Sequence, residues 1–289
     1  MLQEFSNTKW DEHFPDSTQQ TAIKSLEEGQ IIFFPELTFS LTEQEKQFLT
    51  PDFADPHAKN ISFYKNKLWG VRNVSDAQHQ QLKAMLSRFS RDAFELIHGI
   101  LPHYAKQLIV ARTSYRPVQI TGRVTSLHKD DKRLHVDAFP SAPNQGKRIL
   151  RVFCNINPNG EDRIWRVGEP FEKVANHFIP QIGKPIPGSA ALLRLLKITK
   201  SYRTLYDHYM LRMHNMMKED DEYQQKADQQ EIHFPPGSTW IVQTDDVSHA
   251  AMQGQYLLEQ TFYLPVKAMK DESKSPLRRL EKILNQELV

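Results

Sequence analysis

The run Arg133-Leu134-His135-Val136-Asp137 places an imidazole and a carboxylate two residues apart in a segment of strand-like character. On an extended chain alternate side chains project to one side, so His135 and Asp137 face the same way. Such a pair can take two adjacent positions on a metal ion. A third ligand must come from elsewhere in the fold, and His249, just after a predicted strand over Thr239 to Gln243, is the candidate. Two histidines and one carboxylate on one face leave open positions for a bidentate 2-oxo acid and dioxygen, which suits non-haem iron(II). Structural zinc prefers a closed shell with more sulfur or nitrogen. His-x-Asp alone is a weak signal in a chain with 12 histidines, and a solvated pair beside Lys132 and Arg133 accounts for it as well.

A 2-oxo dicarboxylate also needs a cation for its far carboxylate, best met by an arginine. Downstream of His249 the chain reads Leu258-Glu259-Gln260-Thr261, with no cation, and Glu259 is expected to point away from an anionic co-substrate. Arg151 is the first choice instead, because an arginine amid the apolar run from Arg148 to Asn157 is expensive to bury unless paired. A solvent-facing strand position is its alternative reading. Arg116 and Arg166 are further candidates, and Gln260 would add a neutral hydrogen bond.

The elements that must position these residues are short strands set among helices. Ile31 to Phe34, stopped by Pro35, reads as a buried strand. From Ser75 a helix is predicted, with Leu82, Leu86, Phe89, Ala93, Leu96 and Ile97 at helical spacing and Gly99 ending it. From Gln107 onward strand-like runs alternate with turns. In the clearest, Leu150, Val152, Cys154 and Ile156 share one face while Arg151, Phe153 and Asn155 share the other. A second helix is predicted from about Arg203 to Asp220, with a stripe of Leu205, Tyr209, Met213 and Met216. From Gln255 to Leu264 the chain alternates again, with Tyr256, Leu258, Gln260 and Phe262 on one face.

The expected class is α+β and β-rich: a double-stranded β-helix, or jelly-roll (cupin-like), core with flanking helices, which brings distant strands together. Residues 1–289 read as a single domain, with an α/β flank over about 1–105 and the core over about 106–266. A helical insert is expected at about 170–230, and a C-terminal helix over 267–289, capped at Ser275-Pro276.

Composition narrows the function classes. The 289 residues are 39% hydrophobic, ample for a large core. Thirty-seven basic and 35 acidic side chains give a net charge of +2, so nothing global points to nucleic acid. The local stretch Arg112, Arg116, Arg123, Lys129 and Lys132 could meet an anionic partner, or be a solvated basic face. The lone Cys154 excludes an intramolecular disulfide and fits a reducing cytosol as a buried structural thiol. Met1 to Phe5 lacks the basic start and apolar run of a secretory signal. No stretch approaches the roughly 20 apolar residues of a membrane span. Lys274, Arg278, Arg279 and Lys282 beside leucines would let the C-terminal helix lie on an anionic membrane, or its leucines pack on the core.

Several blocks, taken in order, resemble the Kdo hydroxylases. They are Arg133-Leu-His-Val-Asp-Ala-Phe-Pro140, Arg148-Ile-Leu-Arg-Val-Phe153 and Trp165-Arg-Val-Gly-Glu-Pro-Phe171, then Pro236-Gly-Ser-Thr-Trp240 and His249-Ala-Ala-Met-Gln-Gly-Gln-Tyr-Leu-Leu-Glu-Gln-Thr-Phe262. The resemblance covers roughly residues 110 to 270. It implies an iron(II)- and 2-oxoglutarate-dependent dioxygenase, helped by ascorbate. Its acceptor would be the 3-deoxy-D-manno-oct-2-ulosonic acid (Kdo) sugar of Kdo-bearing lipid A, hydroxylated at carbon 3 to give Ko. The resemblance carries the metal onto His135, Asp137 and His249, and among the arginine candidates already named it leaves Arg151 first for 2-oxoglutarate. With the lone cysteine and the basic C-terminal helix, the expected location is the cytoplasm, where peripheral contact with the inner membrane is open to it. An oxygenase with another acceptor and a non-catalytic acidic-sugar-binding β-barrel are the alternative readings, and a metal-dependent isomerase or hydrolase is a third.

Overall fold

A central strand covered on both faces organises the molecule, whose computed structural model describes residues 1–122 and 125–289. Arg123, part of the basic stretch, lies outside the described residues. The strands are β1 (Leu2–Glu4), β2 (Ile31–Phe34), β3 (Ile61–Tyr64), β4 (Lys67–Trp69), β5 (Ile109–Arg116), β6 (Arg148–Asn155), β7 (Arg163–Val167), β8 (Gln230–Phe234), β9 (Thr239–Gln243), β10 (His249–Gln253) and β11 (Leu257–Leu264). The helices are α1 (Asp16–Glu27), α2 (Asp76–Ile100), α3 (Pro102–Ala105), α4 (Phe171–Phe178), α5 (Ser189–Leu195), α6 (Leu205–Glu219), α7 (Asp221–Lys226) and α8 (Pro276–Leu284).

Eight strands form one sheet in the order β1-β2-β9-β6-β11-β5-β3-β4, and β10-β7-β8 form a second. Among the described residues only β1 and β2 pair in parallel. Strand β6, buried along its whole length, lies between β9 and β11. Its Leu150 and Val152 join Phe34, Ile241 and Phe262 beneath Ala93, Leu96 and Ile97 of α2. Its Phe153 points the other way, into a cluster with Trp240 of the same sheet and Trp165 and Phe234 of the smaller one. Phe234 stacks on Trp240 with centroids 3.9 Å apart. The two sheets are thus joined by aromatic packing, in the double layer expected of a jelly roll. The first 105 residues do not stand beside this core: β1 to β4 extend the larger sheet at both edges.

The long helix α2 begins as its sequence predicts, with Ser75 and Gln78 forming a reciprocal capping box. It does not end at Gly99, however, but runs through to Ile100. The glycine is there for close approach: a Cβ at this position would sit 2.1 Å from the Glu12 carbonyl oxygen. Helix α6 is capped by Thr204, and its buried stripe is Tyr206, Tyr209, Met210, Met213 and Met217. Met217 rather than Met216 completes it, a shift of one position around the helix.

Helix α8 begins at the expected Ser275 cap, but its apolar stripe is spent on the interior. Leu277 and Leu280 are buried, and Arg279 donates to Asp246 at 3.1 Å. The membrane-facing reading of this helix is therefore replaced by core packing. Cys154 is buried, and burial pushes its thiol up to about 11, as befits a structural residue.

Alanine is the better helix former, yet Gly99→Ala is expected to destabilise the fold by roughly 1–3 kcal/mol through overpacking against Glu12. Urea unfolding measures this; an unchanged or raised midpoint would show that the N-terminal segment yields freely.

Candidate metal centre

The segment 134–137 belongs to neither sheet, but an isolated bridge ties it to the start of β10. His135 N–H donates to His249 O at 3.0 Å, and His249 N–H returns a bond to His135 O at 2.9 Å. Asp137 N–H donates to Thr244 O at 2.8 Å, holding the segment extended for another two residues. Alternation then brings His135 and Asp137 to one side, as the sequence predicts, facing His249. The two imidazole centroids are 4.6 Å apart, and His135 Nε2 lies 3.8 Å from Asp137 Oδ1. One ligand atom from each of the three buried residues lies within 4.8 Å of the others.

The protonation states suit a metal. His135 Nδ1 is 2.8 Å from Arg133 O, and His249 Nδ1 is 2.8 Å from Val247 O. A carbonyl only accepts, so both Nδ1 atoms carry the hydrogen and both Nε2 lone pairs face the centre. Burial, then the charge of Lys218, holds His135 well below the usual imidazole range. Burial likewise lowers His249. Burial alone would raise the Asp137 carboxyl, but Arg151, then His249, holds it below the ordinary carboxylate range. Neutral imidazoles and an ionised carboxylate are the ligand forms. Asp137 Oδ2 is buried and accepts no well-directed hydrogen bond, although Arg151 Nη2 stands 3.1 Å away. This donor set fits a divalent ion held by a facial triad.

Two side chains that spacing did not single out hold the segment from behind. The Gln224 amide accepts from Leu134 N–H at 2.7 Å and donates to Leu134 O at 3.0 Å, acting as a short surrogate strand. His214 Nδ1, on α6, donates to Val136 O at 2.8 Å, and its ring lies 5.1 Å from that of His135. Burial lowers His214 to about 4, so it too is neutral. His128, by contrast, is exposed and turned to Glu219 at 2.6 Å.

A cleft of about 570 Å³ opens from the triad between the two sheets. Arg116, Arg151 and Glu259 line it from the larger sheet, Arg163 and Trp165 from the smaller. Glu259 therefore points into the cleft, against expectation. It is matched there by Arg116, whose Nε donates at 3.0 Å, and by Arg151 Nη1 at 3.5 Å. Gln260, one residue on, falls on the opposite face of β11, where it accepts from Thr113 Oγ1 at 2.7 Å and is fully buried. Arg166 is likewise turned out of the cleft, donating to Lys132 O at 2.9 Å. The same alternation turns Arg163 inward.

Arg163 is the residue the sequence reading missed. It is buried, donates from Nη1 to Gly254 O at 2.9 Å, and leaves Nε without a partner. Burial, then repulsion from Arg116, lowers it to about 9. Arg151 Nε and Trp165 Nε1 are also buried and unpartnered. Each such donor costs about 1–3 kcal/mol if left unsatisfied, and a carboxylate among them would meet that need. Farther out the cleft is walled by Tyr64, Trp69, Arg112, Phe139 and Lys200, and the Arg112 guanidinium lies 5.9 Å from the Trp69 ring centroid.

A family model described as 3-deoxy-D-manno-oct-2-ulosonic acid (Kdo) hydroxylase matches residues 9–287. A crystal structure of the Kdo hydroxylase KdoO, a non-heme Fe(II) alphaketoglutarate-dependent dioxygenase, in complex with alphaketoglutarate and Fe(III) superimposes with a TM-score of 0.96. The two share 49% identity over 100% of this chain and 97% of that one. KdoO in complex with cobalt(II) gives a TM-score of 0.97 at the same identity and coverage. KdoO with succinate and Fe(III) gives 0.95 at 48% identity, covering 100% of this chain and 97% of that one. No curated protein matches the chain.

Replacing the backing amide should loosen the triad without touching a ligand. Gln224→Leu is expected to weaken cobalt(II) binding by roughly 10–100-fold, read by titration of the visible spectrum. Wild-type affinity in that variant would remove Gln224 from any positioning role.

Proposed function

The chain belongs to the Kdo hydroxylase family, and on that premise we propose that it hydroxylates carbon 3 of Kdo in Kdo-bearing lipid A, giving Ko. It is an iron(II)- and 2-oxoglutarate-dependent dioxygenase. His135, Asp137 and His249 hold the iron, and ascorbate keeps it ferrous. The observation that carries this reading is one cleft in which two neutral imidazoles and an ionised carboxylate converge beside buried arginine donors.

Bound iron supplies dioxygen activation, coupled to decarboxylation of 2-oxoglutarate to succinate and carbon dioxide, with one oxygen atom passing to the acceptor. The chain's own residues set the geometry. Arg163 and Arg151, with Trp165 Nε1, receive the far carboxylate of 2-oxoglutarate. Arg116 is already engaged by Glu259, and its part is to hold that carboxylate away from the incoming anion. Arg151 also keeps Asp137 ionised, so one cation serves both ligand and co-substrate. Trp165, stacked on His249 with centroids 4.9 Å apart, covers that imidazole and would exclude water from its side of the site.

The acceptor enters from the outer mouth. Trp69 offers an exposed indole face against which a pyranose ring can lie, and Arg112 and Lys200 meet sugar carboxylates and lipid A phosphates. Among the described residues no helix is long and apolar enough to cross a membrane. We place the enzyme on the cytoplasmic side of the inner membrane, in peripheral contact with it.

Aerobic incubation with iron(II), 2-oxoglutarate, ascorbate and Kdo-bearing lipid A should add one oxygen atom by mass spectrometry, and His135→Ala should add none. Succinate without an oxidised sugar would redirect the search to another acceptor; neither product from iron-loaded protein would overturn the oxygenase reading for this chain. Arg163→Gln should raise the KM for 2-oxoglutarate by roughly 10–100-fold, the worth of a charge-assisted contact, with a smaller effect on kcat. An unchanged KM would exclude Arg163 from the co-substrate site.

A further inference from the structure

Six of the fourteen exposed large apolar side chains among the described residues fall in one short segment. These are Ile186 and Leu195, each 78% exposed, with Leu192, Leu196, Ile198 and Tyr202. Helix α5, Ser-Ala-Ala-Leu-Leu-Arg-Leu, buries none of its residues. A core helix would turn a leucine stripe inward, as α8 does; this one leaves Leu192 and Leu195 exposed. Contiguous apolar surface of this kind marks an interaction site.

The charge of the segment is equally one-sided. Lys184, Arg194, Lys197, Lys200 and Arg203 occur between residues 183 and 206, with no aspartate or glutamate among them. The segment is also firmly seated beside the cleft. Thr199 is buried, Lys200 N–H donates to Ser141 O at 2.9 Å, and Arg203 Nη2 donates to Pro140 O at 2.6 Å. Pro140, Ser141 and Lys200 line the mouth of the cleft. The apolar, cationic surface is thus continuous with the route by which an acceptor enters.

We infer that residues 184–202 dock the enzyme on an anionic lipid bilayer, leucines in the headgroup layer and cations against lipid phosphates, so that the cleft faces a membrane-borne acceptor. This rests on the hydroxylation of a lipid-linked sugar proposed above. Leucines for insertion and lysines for anionic headgroups are the pairing an interfacial element needs. A second copy of the chain is a poor occupant, because a two-fold contact would set this cationic surface against itself.

Flotation of the full chain with lipid vesicles tests the assignment, and it needs neither iron nor acceptor, so it fails or succeeds independently of the reaction. The wild type should float with vesicles of phosphatidylcholine plus phosphatidylglycerol, not with phosphatidylcholine alone, and should be released by high salt. Two triple variants should each bind at least about tenfold more weakly: Leu192→Ser with Leu195→Ser and Leu196→Ser, and Lys184→Gln with Arg194→Gln and Lys197→Gln. Both should keep the wild-type thermal midpoint, since none of these side chains is part of the buried core. No flotation of the wild type, or equal flotation of the serine variant, overturns the proposal. So does a wild-type dimer in light scattering that the serine variant abolishes, which would make the occupant a second copy.

Discussion

Two backbone hydrogen bonds, exchanged between His135 and His249, are the constraint on which the site depends. Bridged residues in antiparallel register stand directly opposite, so the pairing that closes the chain also brings two imidazoles within 4.6 Å. Asp137 follows automatically, because its N–H is bound to Thr244 and alternation returns its side chain to the same face. A slip of one residue would turn His135 and Asp137 away together. The surrounding structure guards against that slip. Gln224 completes the hydrogen bonding of Leu134, and His214 occupies the carbonyl of Val136. The helical region between β7 and β8 is thereby tied to the metal-bearing segment.

The second constraint is electrostatic. Within one cleft Arg116, Arg151 and Arg163 stand against Asp137 and Glu259, all shielded from bulk water. Opposite charges in a poorly polarisable setting interact strongly, and leaving one unpaired is costly. The cations are unevenly satisfied. Arg116 is engaged by Glu259 and Asp131, whereas Arg163 has only a neutral carbonyl and carries the lowered pKa. That unevenness tells where an anion is wanted. The acidic side chain in the cleft fits this unevenness: Glu259 is shared between Arg116 and Arg151, and Arg163 is left without a carboxylate partner.

Much of this was legible before any coordinates. His135, Asp137 and His249 converge as residue type and spacing imply; the strand from Arg148 ends two residues earlier than predicted, at Asn155, and the helices expected from Ser75 and from about Arg203 to Asp220 both form. The misreadings share a cause. Arg166 and Gln260 turn out of the cleft while Arg163 and Glu259 turn into it, because residues an odd number of positions apart on a strand face opposite ways. Glycine commonly stops a helix, but Gly99 is required by the Glu12 backbone, which only the fold brings near. The leucines of α8 and α5 look alike along the chain, yet one set is buried and the other bare.

The sequence by itself determined which residues could hold a metal, because residue type and the alternation that sets His135 beside Asp137 are local. It also carried the blocks by which the family could be recognised. Only the tertiary structure decided which arginine is left without an anionic partner, what holds the segment that carries His135 and Asp137, and which leucine-rich helix faces solvent. Those outcomes depend on register between strands far apart in the chain and on what lies across the gap. No periodicity within a single segment encodes either.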